Sequence, residues 1–177
     1  YTLAVSVSTM FAFVLSAVIE SMHPVIIQTY SEDTKIFAKR NRQLYAAVFY
    51  GALLMSTGIA IGATWIVRVL YGSQYMPAVG PLRVVVWYTA FSYLGVARNA
   101  WMICRNKQTY LKYLYATAAV VNVLLNLMLI PRFGTVGAAT ASLITQMITT
   151  VGLPLCIPAL RENAKLMLEA IFLKKVF

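Results

Sequence analysis

The stretch Asn122-Val-Leu-Leu-Asn126-Leu-Met-Leu-Ile-Pro131-Arg-Phe-Gly134-Thr-Val-Gly137-Ala-Ala-Thr140-Ala-Ser142 decides the fold class. Its first half is apolar apart from two amides spaced by about one helical turn. Pro131 and Gly134 then punctuate the chain, because proline has no N–H to continue a helix and glycine tolerates backbone angles that other residues avoid. The second half opens with Gly134, Gly137, Ala138 and Ala141, small residues that let a helix lie close against a neighbour. The pattern predicts two apolar helices joined by a short turn at 131–134. Tyr115, Ala119, Asn122 and Asn126 share one face of the first helix. An amide in hydrocarbon needs a partner, so helix–helix hydrogen bonds worth ~0.6–2 kcal/mol each are expected there.

Outward from this stretch, composition sets the environment. Sixty per cent of the 177 residues are hydrophobic and 11% are charged, far from the balance of a soluble domain. A bilayer core about 30 Å thick needs about 20 apolar residues per helical span. Five runs meet that need: 2–28, 44–70, 82–104, 111–130 and 135–160. The expected fold is therefore all-α, a polytopic membrane helix bundle of five transmembrane helices, with a short amphipathic tail at 161–177. The first run begins at once after Tyr1 with no signal-peptide pattern, so the expectation is the carboxy-terminal piece of a longer membrane protein.

Charge gives the threading. Lys35, Lys39, Arg40 and Arg42 follow the first run, Arg105, Lys107 and Lys112 follow the third, and Arg161, Lys165, Lys174 and Lys175 follow the fifth. The connection 71–80 has no Lys or Arg, and 131–134 has only Arg132. Alternate basic connections fit the positive-inside rule with the carboxy terminus cytoplasmic. The net charge of +10 then reflects topology and attraction to anionic lipid, not nucleic-acid binding, which needs a soluble basic face. In the tail, Leu166, Leu168, Ile171, Phe172 and Val176 alternate with Lys and Glu. An interfacial helix lying on the membrane is expected, with a frayed polar end as the alternative. Cys104 and Cys156 read as small apolar residues of a reducing compartment, with no zinc spacing.

Polar residues inside spans are costly and mark candidate sites. Thr2, Ser6, Thr9, Ser16, Glu20 and His23 form a stripe on the first run. Glu20 and His23, three apart, are candidates for relaying protons or binding a coupling cation; headgroup depth just before Pro24 is the plainer reading. Pro24 is expected to kink or end that helix. Gly58 and Gly62 suit a close helix approach. On the third run Arg83, Trp87, Arg98, Trp101 and Arg105 project within about 60° of one direction. Arg83 and Arg105 are placed to snorkel. Trp87 and Trp101 either stack on sugar rings or belong to interfacial aromatic belts. Arg98 lies deeper and must face protein or water; its guanidinium matches phosphate geometry. Ser142, Thr145, Gln146 and Thr149 form a strip that either lines a cavity or bonds back to its own helix. The substrate-binding candidates are Arg98, Trp101, Trp87 and Arg83. The ion-coupling candidates are Glu20 and His23. The packing residues are Asn122, Asn126, Pro131, Gly134 and Gly137. No catalytic or metal-binding constellation is read.

These residues also carry a resemblance. An asparagine-bearing span followed by Leu129-Ile130-Pro131-Arg-Phe-Gly134 and Gly137-Ala-Ala-Thr140-Ala resembles the carboxy-terminal half of bacterial polysaccharide flippases. These are the O-antigen and capsule repeat-unit translocases of the MATE-like multidrug/oligosaccharidyl-lipid/polysaccharide superfamily. Tyr1-Thr-Leu-Ala4 before a span ending at His23-Pro24, then Leu70-Tyr71-Gly72-Ser-Gln-Tyr75-Met-Pro-Ala78, then Leu94-Gly95 with the basic turn Arg105-Asn-Lys107, are similar to that family in order along almost the whole chain. The resemblance implies the last five of about twelve spans and alternating access between two lobes. It implies flipping of a polyprenyl-pyrophosphate-linked oligosaccharide across the bacterial inner membrane for surface polysaccharide biosynthesis, driven by an ion gradient or the membrane potential. The implied partners are the lipid-linked oligosaccharide, membrane lipids and polysaccharide polymerase machinery, with no cofactor and no nucleic acid. The alternatives are a multidrug or cation exporter of the same superfamily, for which Glu20 is the acidic candidate, a membrane glycosyl- or acyltransferase, and a scaffold. A transporter is expected and not an enzyme, since His23 is the only histidine and Asp33 the only aspartate.

Overall fold

A computed structural model describes residues 2–10 and 13–174. All regular structure among these residues is helical. The elements are α1 (Thr2–Met10), α2 (Phe13–Glu32), α3 (Thr34–Tyr71), a 3-10 segment (Ser73–Ala78), α4 (Val79–Cys104), α5 (Thr109–Met147), a π-helical turn (Ile148–Gly152), α6 (Leu153–Cys156) and α7 (Arg161–Ile171).

Two stretches, Thr34–Tyr71 and Thr109–Cys156, are long and apolar enough to cross a membrane, and the bent pair Thr2–Met10 with Phe13–Ser31 makes a third if it is one span. That is fewer than the five expected, for identifiable reasons. The run 2–28 is divided between α1 and α2, with the join outside the described residues. Helix α4 has 26 residues, enough length, but Arg83, Arg98 and Asn99 lower its hydropathy. The expected spans 111–130 and 135–160 are joined in one run of helical backbone.

That run nevertheless reverses. A straight helix would hold Asn122 and Thr145 about 35 Å apart at ~1.5 Å per residue, yet their side chains meet at 3.4 Å. The reversal is at Gly134, whose φ of 56° and ψ of −134° lie in a region open to glycine. A Cβ on Gly137 would collide with the backbone carbonyl of Leu129. The two arms of α5, 109–133 and 135–147, therefore form the hairpin expected from the opening stretch, with the turn concentrated at Gly134.

Helix α4 is the centre of the bundle, and hydroxyls tie it to three neighbours. Ser56 on α3 donates to the Val86 carbonyl at 2.7 Å. Ser8 on α1 shares a buried 2.8 Å bond with Thr89. Thr150 in the π-helical turn donates to the Phe91 carbonyl at 3.1 Å. Such bonds between apolar helices contribute about 0.6 kcal/mol each on average and fix rotation more than they add stability. Around them pack Val7, Ile59, Ala63, Leu82 and Val85 at one end, and Phe37, Leu44, Tyr45, Leu94 and Trp101 at the other. Outward-facing Leu54, Ile61, Trp65, Leu127 and Met128 are highly exposed, leaving apolar surface of the kind that meets a membrane or another protein.

Several expectations change. Helix α2 continues through Pro24 to Glu32. Pro24 and Glu20 are both on the exposed side, so neither the ring nor the carbonyl it leaves unpaired is walled in. Helix α3 starts ten residues before the expected span, capped by Asp33, whose carboxylate accepts from the Lys35 N–H at 2.6 Å. Gly58 is exposed with no neighbour where its Cβ would point, and Gly62 faces only Ile66, so neither brings another helix close. In the tail, Ala164, Leu166, Met167 and Ala170 of α7 are buried against the bundle. Asn163, fully buried, donates to the Tyr45 hydroxyl at 2.6 Å. Arg42–Glu169 at 2.7 Å and Arg105–Glu162 at 2.8 Å add ion pairs at its rim. The hydrophobic periodicity of the tail thus gives a face packed on the bundle, while Phe172 and Leu173 remain exposed, and Val176 lies outside the described residues.

Candidate functional site

Two cavities run along α4 on the side facing the α5 hairpin. The first, about 410 Å³, lies between α1, α4 and both arms of α5, with Ser8, Thr9, Tyr88, Asn122, Thr145 and Gln146 supplying its polar lining. The second, about 250 Å³, continues along α4 toward Arg98, lined by Tyr88, Ser92, Arg98, Tyr115, Gln146 and Thr149 among others. Tyr88, Ala118 and Gln146 border both, so the two form one groove whose mainly apolar wall carries a strip of polar side chains.

The polar strip of the groove follows from local helix geometry. Tyr88, Ser92 and Gly95 stand at i, i+4 and i+7 on α4 and so share a face. The first α5 arm presents Tyr115, Ala119 and Asn122 of the expected face, together with Ala118, while Asn126 of that face lines neither cavity. The second arm presents Ser142, Thr145 and Gln146, the π-helical turn presents Thr149, and both readings of that strip hold. Ser142 donates to the Ala138 carbonyl at 3.1 Å and Thr149 to the Thr145 carbonyl at 2.9 Å, while the same residues line the cavities. Asn122 donates across to Thr145 at 3.4 Å. Asn126 instead donates to the Asn122 side-chain oxygen at 2.8 Å, within its own helix.

Arg98 is the deepest charge in the groove, only 4% exposed. Its Nη1 donates to the carbonyls of Thr149 and Thr150, each at 3.5 Å, and its Nε has no partner. Among the described residues, none that lines its cavity is acidic. A guanidinium so placed has donor capacity to spare and is suited to an anion.

The other substrate-binding candidates do not join it. Trp101 is packed in the core with Tyr45 and Leu160 and its Nε1 lacks a partner. Trp87 is half-buried against the other core cluster. Arg83 is exposed and reaches Thr64 at 3.4 Å. One helical face meets different neighbours along its length, so shared azimuth does not give shared surroundings. Arg105 lies at the rim over the rings of Tyr30 and Phe37, 5.7 and 5.9 Å from their centroids. Glu20 and His23 line a separate open groove with Asn99, whose side-chain oxygen is buried without a partner.

Sequence reasoning missed Ser8, Tyr88 and Ser92. The i, i+4, i+7 spacing of Tyr88, Ser92 and Gly95 was a readable signal for a second face of α4. In comparisons with known proteins, no family model, curated protein or solved structure matches the chain.

Proposed function

We propose that the chain is one lobe of a flippase that carries a polyprenyl-pyrophosphate-linked oligosaccharide across a bacterial inner membrane for surface polysaccharide biosynthesis. In this reading the chain crosses the membrane five times: α1 with α2, α3, α4 and the two arms of α5, the second arm extended by α6. The basic end, with α7, is cytoplasmic, as the distribution of Lys and Arg favours. The observation that carries the reading is the groove: hydroxyl, amide and aromatic side chains lead to a buried arginine inside an otherwise apolar bundle. Hydroxyls and amides suit sugars, the guanidinium suits a phosphate group, and the exposed apolar helices leave the lipid tail in the bilayer. Opening and closing against a second lobe provides alternating access.

The test is surface polysaccharide in a strain lacking the gene. Loss of polymer, restored by the wild-type gene, supports the reading; unchanged polymer overturns it. The groove holding Glu20 and His23 favours a second reading, a cation or drug exporter. A drug-sensitivity panel on the same strain separates the two.

A further inference from the structure

Pro154, buried at the start of α6, has no N–H. The carbonyls four and five residues before it, those of Thr150 and Thr149, lose the donor that residue 154 would supply to an α- or π-turn. In an α-helix the proline ring would also crowd the Thr150 carbonyl; the wider π-helical turn at Ile148–Gly152 relieves this. The two carbonyls left open are the ones that Arg98 Nη1 reaches from α4. Arg98 thus braces a break that Pro154 creates 56 residues later in the chain.

The brace is weak. Both bonds are 3.5 Å long, at the outer limit for N–H···O. The Nε–H is buried and unused beside a cavity whose described lining holds no carboxylate. A phosphate group entering that cavity would offer bidentate, charge-assisted bonds near 2.7–2.9 Å, roughly twice as strong as neutral ones. Ser92, Tyr115 and Gln146 supply further polar groups around it. Beyond the break, residues 157–160 lead into α7, which is anchored to α3 through Asn163 and Tyr45. The turn therefore sits between a ligand cavity and a fixed strut, where loosening produces hinge motion.

We infer that Arg98 is a ligand-released brace: a phosphate-bearing group in the cavity draws the guanidinium from the Thr149 and Thr150 carbonyls and frees the π-helical turn to hinge. The inference rests on the anionic-cargo reading only for the ligand's chemistry. Thr150, which accepts from Gln146 at 3.3 Å and donates to Phe91, remains as the pivot.

Amide hydrogen exchange over residues 151–157 tests it, with the full-length protein in phosphatidylcholine nanodiscs. The probes are inorganic pyrophosphate in solution and a polyprenyl diphosphate in the bilayer. Either probe should speed exchange in the wild type by about fivefold, the scale of one net hydrogen bond. A response to the lipid alone identifies a headgroup site; a response to pyrophosphate identifies a site open to free anions. Arg98→Gln should exchange fast without probe and ignore both probes. Pro154→Ala regains the missing N–H, so it should exchange slowly and also ignore them. The brace is refuted by a wild type unresponsive to both probes, or by either variant responding as the wild type does. A responsive wild type with normal polysaccharide in the deletion strain retires the flippase reading and leaves the brace standing. Polysaccharide loss without a response retires the brace alone.

Discussion

The side-chain amide of Asn122 donates to the hydroxyl of Thr145 at 3.4 Å, across 23 residues of helical backbone interrupted only at Gly134. This contact joins the two arms of α5 in the lining of the larger of the groove's two cavities. It makes the hairpin, and not either arm alone, the wall of the site.

Asn122→Leu should destabilise the protein by ~0.6–2 kcal/mol, the range for interhelical bonds in apolar surroundings. Asn126→Leu should cost less, because Asn126 bonds within its own helix. Reversible unfolding in mixed micelles measures both, and a double-mutant cycle should find stronger coupling between Asn122 and Thr145 than between Asn126 and Thr145, which are linked only through Asn122.

Gly134→Ala places a side chain at positive φ and should cost about 1–3 kcal/mol. Gly137→Ala puts a Cβ against the Leu129 carbonyl and should prevent the arms from closing. Gly58→Ala meets open space and should leave stability within about 0.5 kcal/mol. Thermal unfolding followed by size-exclusion chromatography in detergent ranks the three. Equal losses at all three positions would refute the hairpin geometry.

The anchoring of α7 should depend on the buried Asn163–Tyr45 bond more than on the ion pairs. Asn163→Ala leaves the Tyr45 hydroxyl unpaired and should cost about 1–3 kcal/mol. Glu169→Gln removes a partly exposed pair with Arg42 and should cost under about 1 kcal/mol. Limited trypsin digestion at Lys165 reads the difference: cleavage should accelerate in the first variant and stay near wild type in the second.

The hairpin was legible because its signals are local: a proline, two glycines and amides at helical spacing. The hydroxyl and amide strip from Ser142 to Thr149 was legible for the same reason. The surroundings of Arg83, Trp87, Arg98 and Trp101 were not. A helical wheel assigns them one face, but α1, α3, α7 and the π-helical turn each cover a different length of α4. The docking of α7 was hidden too, because it depends on Asn163 meeting Tyr45 across 118 residues. Arg98 stood out in the sequence as a buried cation, while its link to Pro154 appears only once both helices are in place.

In the proposed function the groove ending at Arg98 carries a lipid-linked oligosaccharide between leaflets. The most direct test is the leaflet in which that intermediate accumulates, measured in cells carrying Arg98→Ala at wild-type abundance. Accumulation on the cytoplasmic face, with surface polysaccharide reduced at least about tenfold, corresponding to ~1.4 kcal/mol or more of lost transition-state stabilisation, is the predicted result. Normal export of the intermediate in that variant would contradict the account.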